Sequence, residues 1–261
     1  MSNNIETSRS GAVLTVVNND PASRNALSPE FYKGFREVIE EAERDASVRA
    51  IVLTGAGGYF CSGGNVNGLK QRSESDITVR RSSVDRLHAM IRTMRSCSKP
   101  IIAALEGGAA GAGVPLALAC DMIVAAKGAY LSVAYVRIGL TPDGGTTGLL
   151  GHMIPRQLLT EMVMTGDRID VERFHTLGVI NRLTEPGATL DEAQALAARL
   201  AVGPGNTIAI DKQLVTAAPE STLDHQLDQE AVLVAEALGS PDGKEGIAAF
   251  LEKRKPDFTG L

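Results

Sequence analysis

The chain is poor in the residues that build cross-links and metal centres. Its 261 residues include three cysteines, Cys61, Cys97 and Cys120, and four histidines. Three irregularly spaced cysteines make neither a disulfide framework nor a zinc site. Their scarcity fits a reduced, cytoplasmic setting. His88, His152, His175 and His225 are isolated and lack ligand spacing, so each is assigned a packing or surface role and no metal site is expected. A cationic excess is also missing. The formal net charge of −5 argues against nucleic acid as a partner. The N-terminus has no basic region followed by an apolar run, so no signal peptide is expected. No charge-free stretch reaches the length of a membrane span, and no membrane partner is expected. There is no Walker-type phosphate loop, internal repeat or low-complexity tract.

What the chain does contain is a large apolar fraction, 44%, enough to bury a sizeable core. Gly11–Val17 reads as a strand ending in the turn cluster Asn18-Asn-Asp-Pro21. Ser28 is an N-cap with Pro29 at the first helical position, and Phe31, Phe35, Val38, Ile39 and Ala42 follow at helical spacing. Ala50–Thr54 and Ile101–Leu105 read as buried strands. Residues 66–85 are polar and read as a mobile segment or a short helix, before a longer helix with Leu87, Met90, Ile91 and Met94 on one face. A small-residue helix to Cys120 and a strand at Met122–Ala125 complete a strand–helix–strand unit, which places the core in the α/β class. Beyond residue 145 the pattern is mostly helical. A helix from Pro155 to Gly166, a short strand at Leu177–Leu183 and helix starts at Thr189, Gly203-Pro204 and Ser221 are expected. A composition shift near 200 divides a core, 1–200, from a C-terminal helical region, 201–261.

Two glycine-rich stretches follow the two buried strands: Phe60-Cys-Ser-Gly-Gly-Asn65 and Glu106-Gly-Gly-Ala-Ala-Gly-Ala-Gly113. Glycine lets a backbone turn tightly and approach a ligand closely. Two such loops side by side can aim two N–H groups at one oxygen and stabilise an enolate or a tetrahedral adduct.

These loops, in this order and separation, resemble those of the crotonase superfamily, the enoyl-CoA hydratase/isomerase family. Arg24-Asn-Ala-Leu27, Leu116-Ala-Leu-Ala-Cys-Asp121, Ile138-Gly-Leu-Thr-Pro-Asp-Gly-Gly145 and Glu245–Arg254 match further motifs, so the resemblance covers nearly the whole chain. It implies a crotonase-like spiral of β-β-α units with a C-terminal helical subdomain. It also implies a homotrimer or dimer of trimers, and an acyl-coenzyme A thioester as substrate. Coenzyme A would then arrive as part of the substrate, with no permanently bound cofactor. By motif position the oxyanion donors are the amides of Gly64 and Ala112. The main chain around Ala26, Ser62, Gly64 and Val66 lines the coenzyme A path. Arg24 is a candidate phosphate contact, and Phe250 and Lys253 match C-terminal residues that reach the nucleotide, often from a neighbouring subunit. Arg24 and Lys253 also read as solvated surface charges.

One departure bears on mechanism. Family hydratases carry two glutamates where this chain has Pro115 and Tyr135. Asp143, in Pro142-Asp-Gly-Gly145, aligns with the acid used by family isomerases. Locally, Pro-Asp-Gly is also a common turn. Tyr135 either orients substrate or water, or fills the space of the missing glutamate. A single carboxylate suits a proton shuttle that moves a double bond. A ring-modifying step on epoxide or oxepin forms of phenylacetyl-CoA, hydration of an enoyl-CoA, and acyl-CoA binding without turnover are the alternatives.

Overall fold

The computed structural model describes residues 4–259, apart from the side chains of Val66 and Asn67. Strand β1 (Ile5–Ser10) turns at Gly11 into β2 (Val13–Asn18), its antiparallel neighbour. Helix α1 (Pro29–Arg44) begins where expected: the Ser28 hydroxyl accepts from the Phe31 amide at 3.2 Å, and Phe31, Phe35, Ile39 and Ala42 are buried. β3 (Ala50–Gly55) follows, then α2 (Val66–Ser73), so the polar stretch contains a short helix. The long helix α3 (Ile77–Ser96) starts at an Asp76 cap, whose carboxylate accepts from the amides of Thr78 and Val79. Its first turns are exposed, which hides their period from the sequence. β4 (Ile101–Leu105), the short β5 (Gly108–Ala110), α4 (Gly113–Leu118), β6 (Met122–Ala126) and β7 (Tyr130–Ser132) come next. A 3-10 turn at Ala134–Ile138 leads to α5 (Thr146–Met153), α6 (Arg156–Thr165), β8 (Arg168–Asp170), α7 (Val171–Thr176) and β9 (Arg182–Thr184). The last helices are α8 (Thr189–Ala201), α9 (Gly205–Ala217), α10 (Leu223–Gly239) and α11 (Pro241–Leu251).

The strands form a six-stranded sheet, β1-β2-β3-β4-β6-β9, parallel except for the β1–β2 edge, and a three-stranded sheet, β5-β7-β8. The central strands are covered on both faces, as parallel strands generally are. Ile51, Leu53, Ile101, Ala103 and Leu105 enter the main core with α1, α3 and α4. The alternate residues Ala50, Val52, Ile102 and Ala104 pack under Ala193, Leu196, Ala197 and Ala201 of α8.

Two expectations are corrected. Leu177–Leu183 is not a strand throughout, because its first part caps α7. The amides of Gly178 and Val179 turn back to the carbonyls of His175 and Phe174, with Gly178 at φ 81°. This is the Schellman pattern, and only Arg182–Thr184 remains for pairing. The last long helix before the C-terminal segment starts at Leu223 with Thr222 as its cap, one residue past Ser221.

The C-terminal helices are tied to the sheet by two cations, the half-buried Arg49 and the buried Lys212. Arg49 donates to the carbonyls of Gly203 and Phe258. Lys212 of α9 pairs with Asp121 at 2.8 Å and donates to the carbonyls of Met94 and Lys99; its side chain is 5% exposed and that of Asp121 21%. Burial raises the Asp121 carboxyl pKa, and Lys212 opposes the rise. Removing one partner of such a pair leaves an uncompensated charge. Lys212→Met should therefore lower the unfolding free energy by about 3 kcal/mol, with part recovered by Asp121→Asn in the same chain. Urea unfolding checks both, and an unchanged midpoint in the single variant refutes the tether.

Candidate active site

The two glycine loops meet through backbone contacts. Cys61 bridges to Ala109 and Leu27 to Gly64. The Leu27 amide donates to the Gly63 carbonyl at 2.7 Å, and the Ala110 amide donates to the Cys61 carbonyl at 2.9 Å. A Cβ on Gly63, which sits at φ 96°, would stand 2.7 Å from the Ala110 carbonyl oxygen and 3.3 Å from the Ala112 nitrogen. Only glycine allows this approach. Among the described residues, neither the Gly64 nor the Ala112 N–H donates a hydrogen bond. Ala112 is buried and is the N-cap residue of α4. Buried backbone donors are nearly always paired, so an unused N–H on each of two touching loops is suited to holding a ligand oxygen.

The Arg24–Leu27 segment is drawn to the same place. Arg24 and Asn25 both have positive φ. The buried Asn25 side chain sustains that conformation: it accepts from the Asp20 amide and donates to the carbonyls of Ala56 and Tyr59. Ser62 donates to the Ser23 carbonyl, and the Ala26 amide donates to the Ser23 hydroxyl. Arg24 is exposed with its guanidinium 5.6 Å from the Tyr59 ring centre. The structure thus gathers Arg24, Ala26, Ser62, Gly64 and Ala112. Val66 begins α2, and its side chain lies outside the described residues.

Phe250 and Lys253 lie elsewhere in the chain. Phe250 is 83% exposed on α11, which packs on α9 and α10. Three residues apart, they would share one face of a continuing helix, but the helix ends at Leu251. Lys253 adopts φ 55° in a Schellman turn, with its amide donating to the Phe250 carbonyl and that of Arg254 to Ala249.

Asp143 faces Tyr135, which the 3-10 turn holds buried. The phenol donates to Asp143 Oδ1 at 2.6 Å. The carbonyl of Asp143 accepts from the Thr146 amide and hydroxyl. Burial raises the Asp143 pKa above the usual carboxylate range, while the Tyr135 hydrogen bond and the nearby Arg72 cation pull it down. The phenol itself is pushed far up by burial and by the neighbouring carboxylate, so it remains a donor. Pro115 packs against this turn: a Cβ on Gly144 would lie 2.7 Å from Pro115 Cγ. Pro115 falls in the first turn of α4, where a missing N–H costs no helical bond.

Sequence reasoning missed three neighbours. His88 Nε2 accepts from the Gly144 amide at 3.2 Å. Arg72 donates to the Gly68 carbonyl and to Ser83, holding α2 against α3. Tyr32 of α1 is buried, and its pKa is raised first by burial and then by Asp143. An isolated histidine or arginine carries no sequence signal for such proximity. No cluster of potential metal ligands occurs among the described residues, and none of their helices is long and apolar enough to cross a membrane.

A family profile described as enoyl-CoA hydratase/isomerase matches residues 8–261. The chain is 35% identical over 249 residues to 1,2-epoxyphenylacetyl-CoA isomerase of Escherichia coli K12, spanning 95% of each. It is 32% identical over 253 residues to 2,3-dehydroadipyl-CoA hydratase of the same organism, spanning 97% of each. A solved enoyl-CoA hydratase from Polaromonas sp. JS666 superposes with a TM-score of 0.95 at 40% identity, covering 97% of this chain and 98% of that one. The expected crotonase-like spiral with C-terminal helices is therefore the fold.

The electrostatics of Asp143 are testable without substrate. Its carboxyl should titrate above the usual aspartate range by carbon NMR, and Tyr135→Phe should move the midpoint higher, since the lost donor favours the ionised form. Ionised Asp143 costs stability above its raised pKa. Asp143→Asn should therefore be more stable than wild type at neutral pH, with the gap closing as pH falls through that pKa. A downward shift in Tyr135→Phe contradicts this account.

Proposed function

Because the chain belongs to the enoyl-CoA hydratase/isomerase family, we propose that it shifts a double bond in an acyl-CoA thioester by a one-acid proton shuttle. In this reading the thioester oxygen sits on the amides of Gly64 and Ala112. Asp143 removes a proton from C2 of a 3-enoyl thioester. The electrons pass into the carbonyl, giving a dienolate whose oxygen is held by the two N–H groups. Each such donor contributes about 3–4 kcal/mol of transition-state stabilisation. The protonated acid then delivers the same proton to C4, and the 2-enoyl product has the mass of the substrate. Tyr135 holds Oδ1, leaving Oδ2 for the proton. Coenzyme A enters only as part of the substrate, along Arg24, Ala26, Ser62 and Val66.

The observation that carries this reading is the single acid. The raised, Tyr135-bound carboxylate of Asp143 lies on the turn that packs against Pro115 of α4, the helix that Ala112 caps, and by motif Pro115 and Tyr135 stand at the positions of the hydratase glutamates. Hydration needs one group to activate water and another to deliver a proton. Glu106 does not supply the second, since its carboxylate accepts from the distant Gly187 amide. A ring-modifying isomerisation is the second reading, favoured by the 35% identity to 1,2-epoxyphenylacetyl-CoA isomerase. It would use the same acid and oxyanion donors.

We further propose that the chain works as a trimer or a pair of trimers. No residue of α10 is buried, and Leu227, Val234 and Leu238 lie exposed on it, with Phe250 and Leu251 on α11. Exposed apolar surface on this scale marks an interface. Such packing would also bring Phe250 and Lys253 to a neighbouring coenzyme A.

Incubation with trans-3-hexenoyl-CoA should give the 2-enoyl isomer without mass gain, and Asp143→Asn should lower kcat by about 10³-fold or more. Full activity in that variant removes Asp143 from the mechanism, and gain of one water on the 2-enoyl substrate makes the enzyme a hydratase. Light scattering should give three or six times the 27.5 kDa chain mass, reduced by Leu238→Glu. A monomer in wild type refutes the assembly.

A further inference from the structure

We infer that His88 is a positioning residue for the Asp143 carboxylate, acting through the Gly144 amide. This role rests on the reading of Asp143 as the proton shuttle.

The turn that carries Asp143 is held from three sides. Tyr135 bonds the carboxylate, and Thr146 bonds the Asp143 carbonyl with both its amide and its hydroxyl. These partners lie within eight residues of Asp143 and move with the same segment. The third hold is His88 on α3, 56 residues from Gly144, whose Nε2 accepts from the buried Gly144 N–H at 3.2 Å. α3 is anchored by the buried Leu87, Met90, Ile91 and Met94 and packs along α1. His88 therefore fixes the turn to a rigid element of the main core, where the neighbouring bonds fix it only to itself.

The contact is chemically specific. An accepting Nε2 carries no proton, so the ring is neutral with its hydrogen on Nδ1. An Nε2–H would set donor against donor and release the turn. The turn cannot compensate by swinging inward. Gly144 sits at φ 64°, and a Cβ there would already meet Pro115 Cγ at 2.7 Å and Leu87 Cδ2 at 3.3 Å. Without an acceptor at 88, the Gly144 amide is buried and unpaired, and the turn gains by moving toward another acceptor. That motion displaces the adjacent carboxylate from the acyl carbon it serves.

The test is steady-state kinetics on trans-3-hexenoyl-CoA with three variants. His88→Ala should lower kcat by about 10- to 100-fold, with KM within about twofold, because misplacing a catalytic group affects the chemical step rather than binding. His88→Gln, whose Oε1 occupies the acceptor place of Nε2, should return kcat to within about threefold of wild type. Imidazole nitrogen NMR of the free enzyme should show His88 with a bare Nε2. Equal losses in the Ala and Gln variants, an unchanged kcat in His88→Ala, or a protonated Nε2 each overturn the role. Asp143→Asn, run alongside, separates the two readings. Activity kept there removes the shuttle and the His88 role with it. Activity lost there with His88→Ala unaffected overturns the His88 role alone.

Discussion

The candidate site depends on one close approach of backbone to backbone. At Gly63 two loops that leave neighbouring parallel strands come together with no side chain between them. A methyl group there would strike a carbonyl oxygen, and φ 96° is closed to other residues in any case. The buried Asn25 braces the third segment, and bridges at Leu27–Gly64 and Cys61–Ala109 align all three. The fold thus uses most of the loop amides in mutual bonds and, among the described residues, leaves the Gly64 and Ala112 N–H groups without a partner. In water those groups would be solvated. Beside the apolar start of α4 they have far more to gain from a developing negative charge.

The protein treats two partly shielded aspartates, Asp121 and Asp143, differently. Asp121 has a cation, Lys212, and a backbone donor, Ile101 N–H, and its task is to hold α9 on the sheet. Asp143 has a neutral phenol instead. A cation in hydrogen-bond contact favours the ionised form by its charge as well as its hydrogen bond, and at Asp121 Lys212 works in this way against the rise that burial imposes. The phenol moderates the rise caused by burial without cancelling it, consistent with the direction in which Asp143 is shifted.

Local signals were legible where one residue type had one physical job. Ser28, the glycine at 166 and the apolar runs at 50–54 and 101–105 mark elements that the structure contains. The three-residue strands β5, β7 and β8 were not legible, because their pairing is decided by distant neighbours rather than by period. Leu177–Val179 looks like a strand by composition but is used to stop a helix. Lys253 takes a left-handed cap position that glycine usually holds, so its spacing from Phe250 carried no face information. At the candidate site, the loop residues and Asp143 were singled out by motif. His88 was not, since its place there comes from a hydrogen bond between α3 and the Asp143 turn, which no local motif marks.

In the proposed reading, the uncharged Pro115 and Tyr135 matter for more than the absence of a second acid. A second carboxylate close to Asp143 would raise its pKa by like-charge repulsion, and an enolate forming nearby would meet two negative groups. Pro115 and Tyr135 bring no charge. In the proposed reaction the site therefore holds one negative charge throughout. It begins on Asp143, moves to the thioester oxygen as the proton leaves carbon, and returns when C4 is protonated. Each resting place has its own donors, Tyr135 at one end and the two loop amides at the other. The charge never has to enter solvent or double up within an apolar enclosure. Water activation would place a second nucleophile and a second proton in the same space, which Pro115 now fills against Gly144. In the proposed reading, that exchange of a polar function for packing is what would turn a family scaffold toward isomerisation.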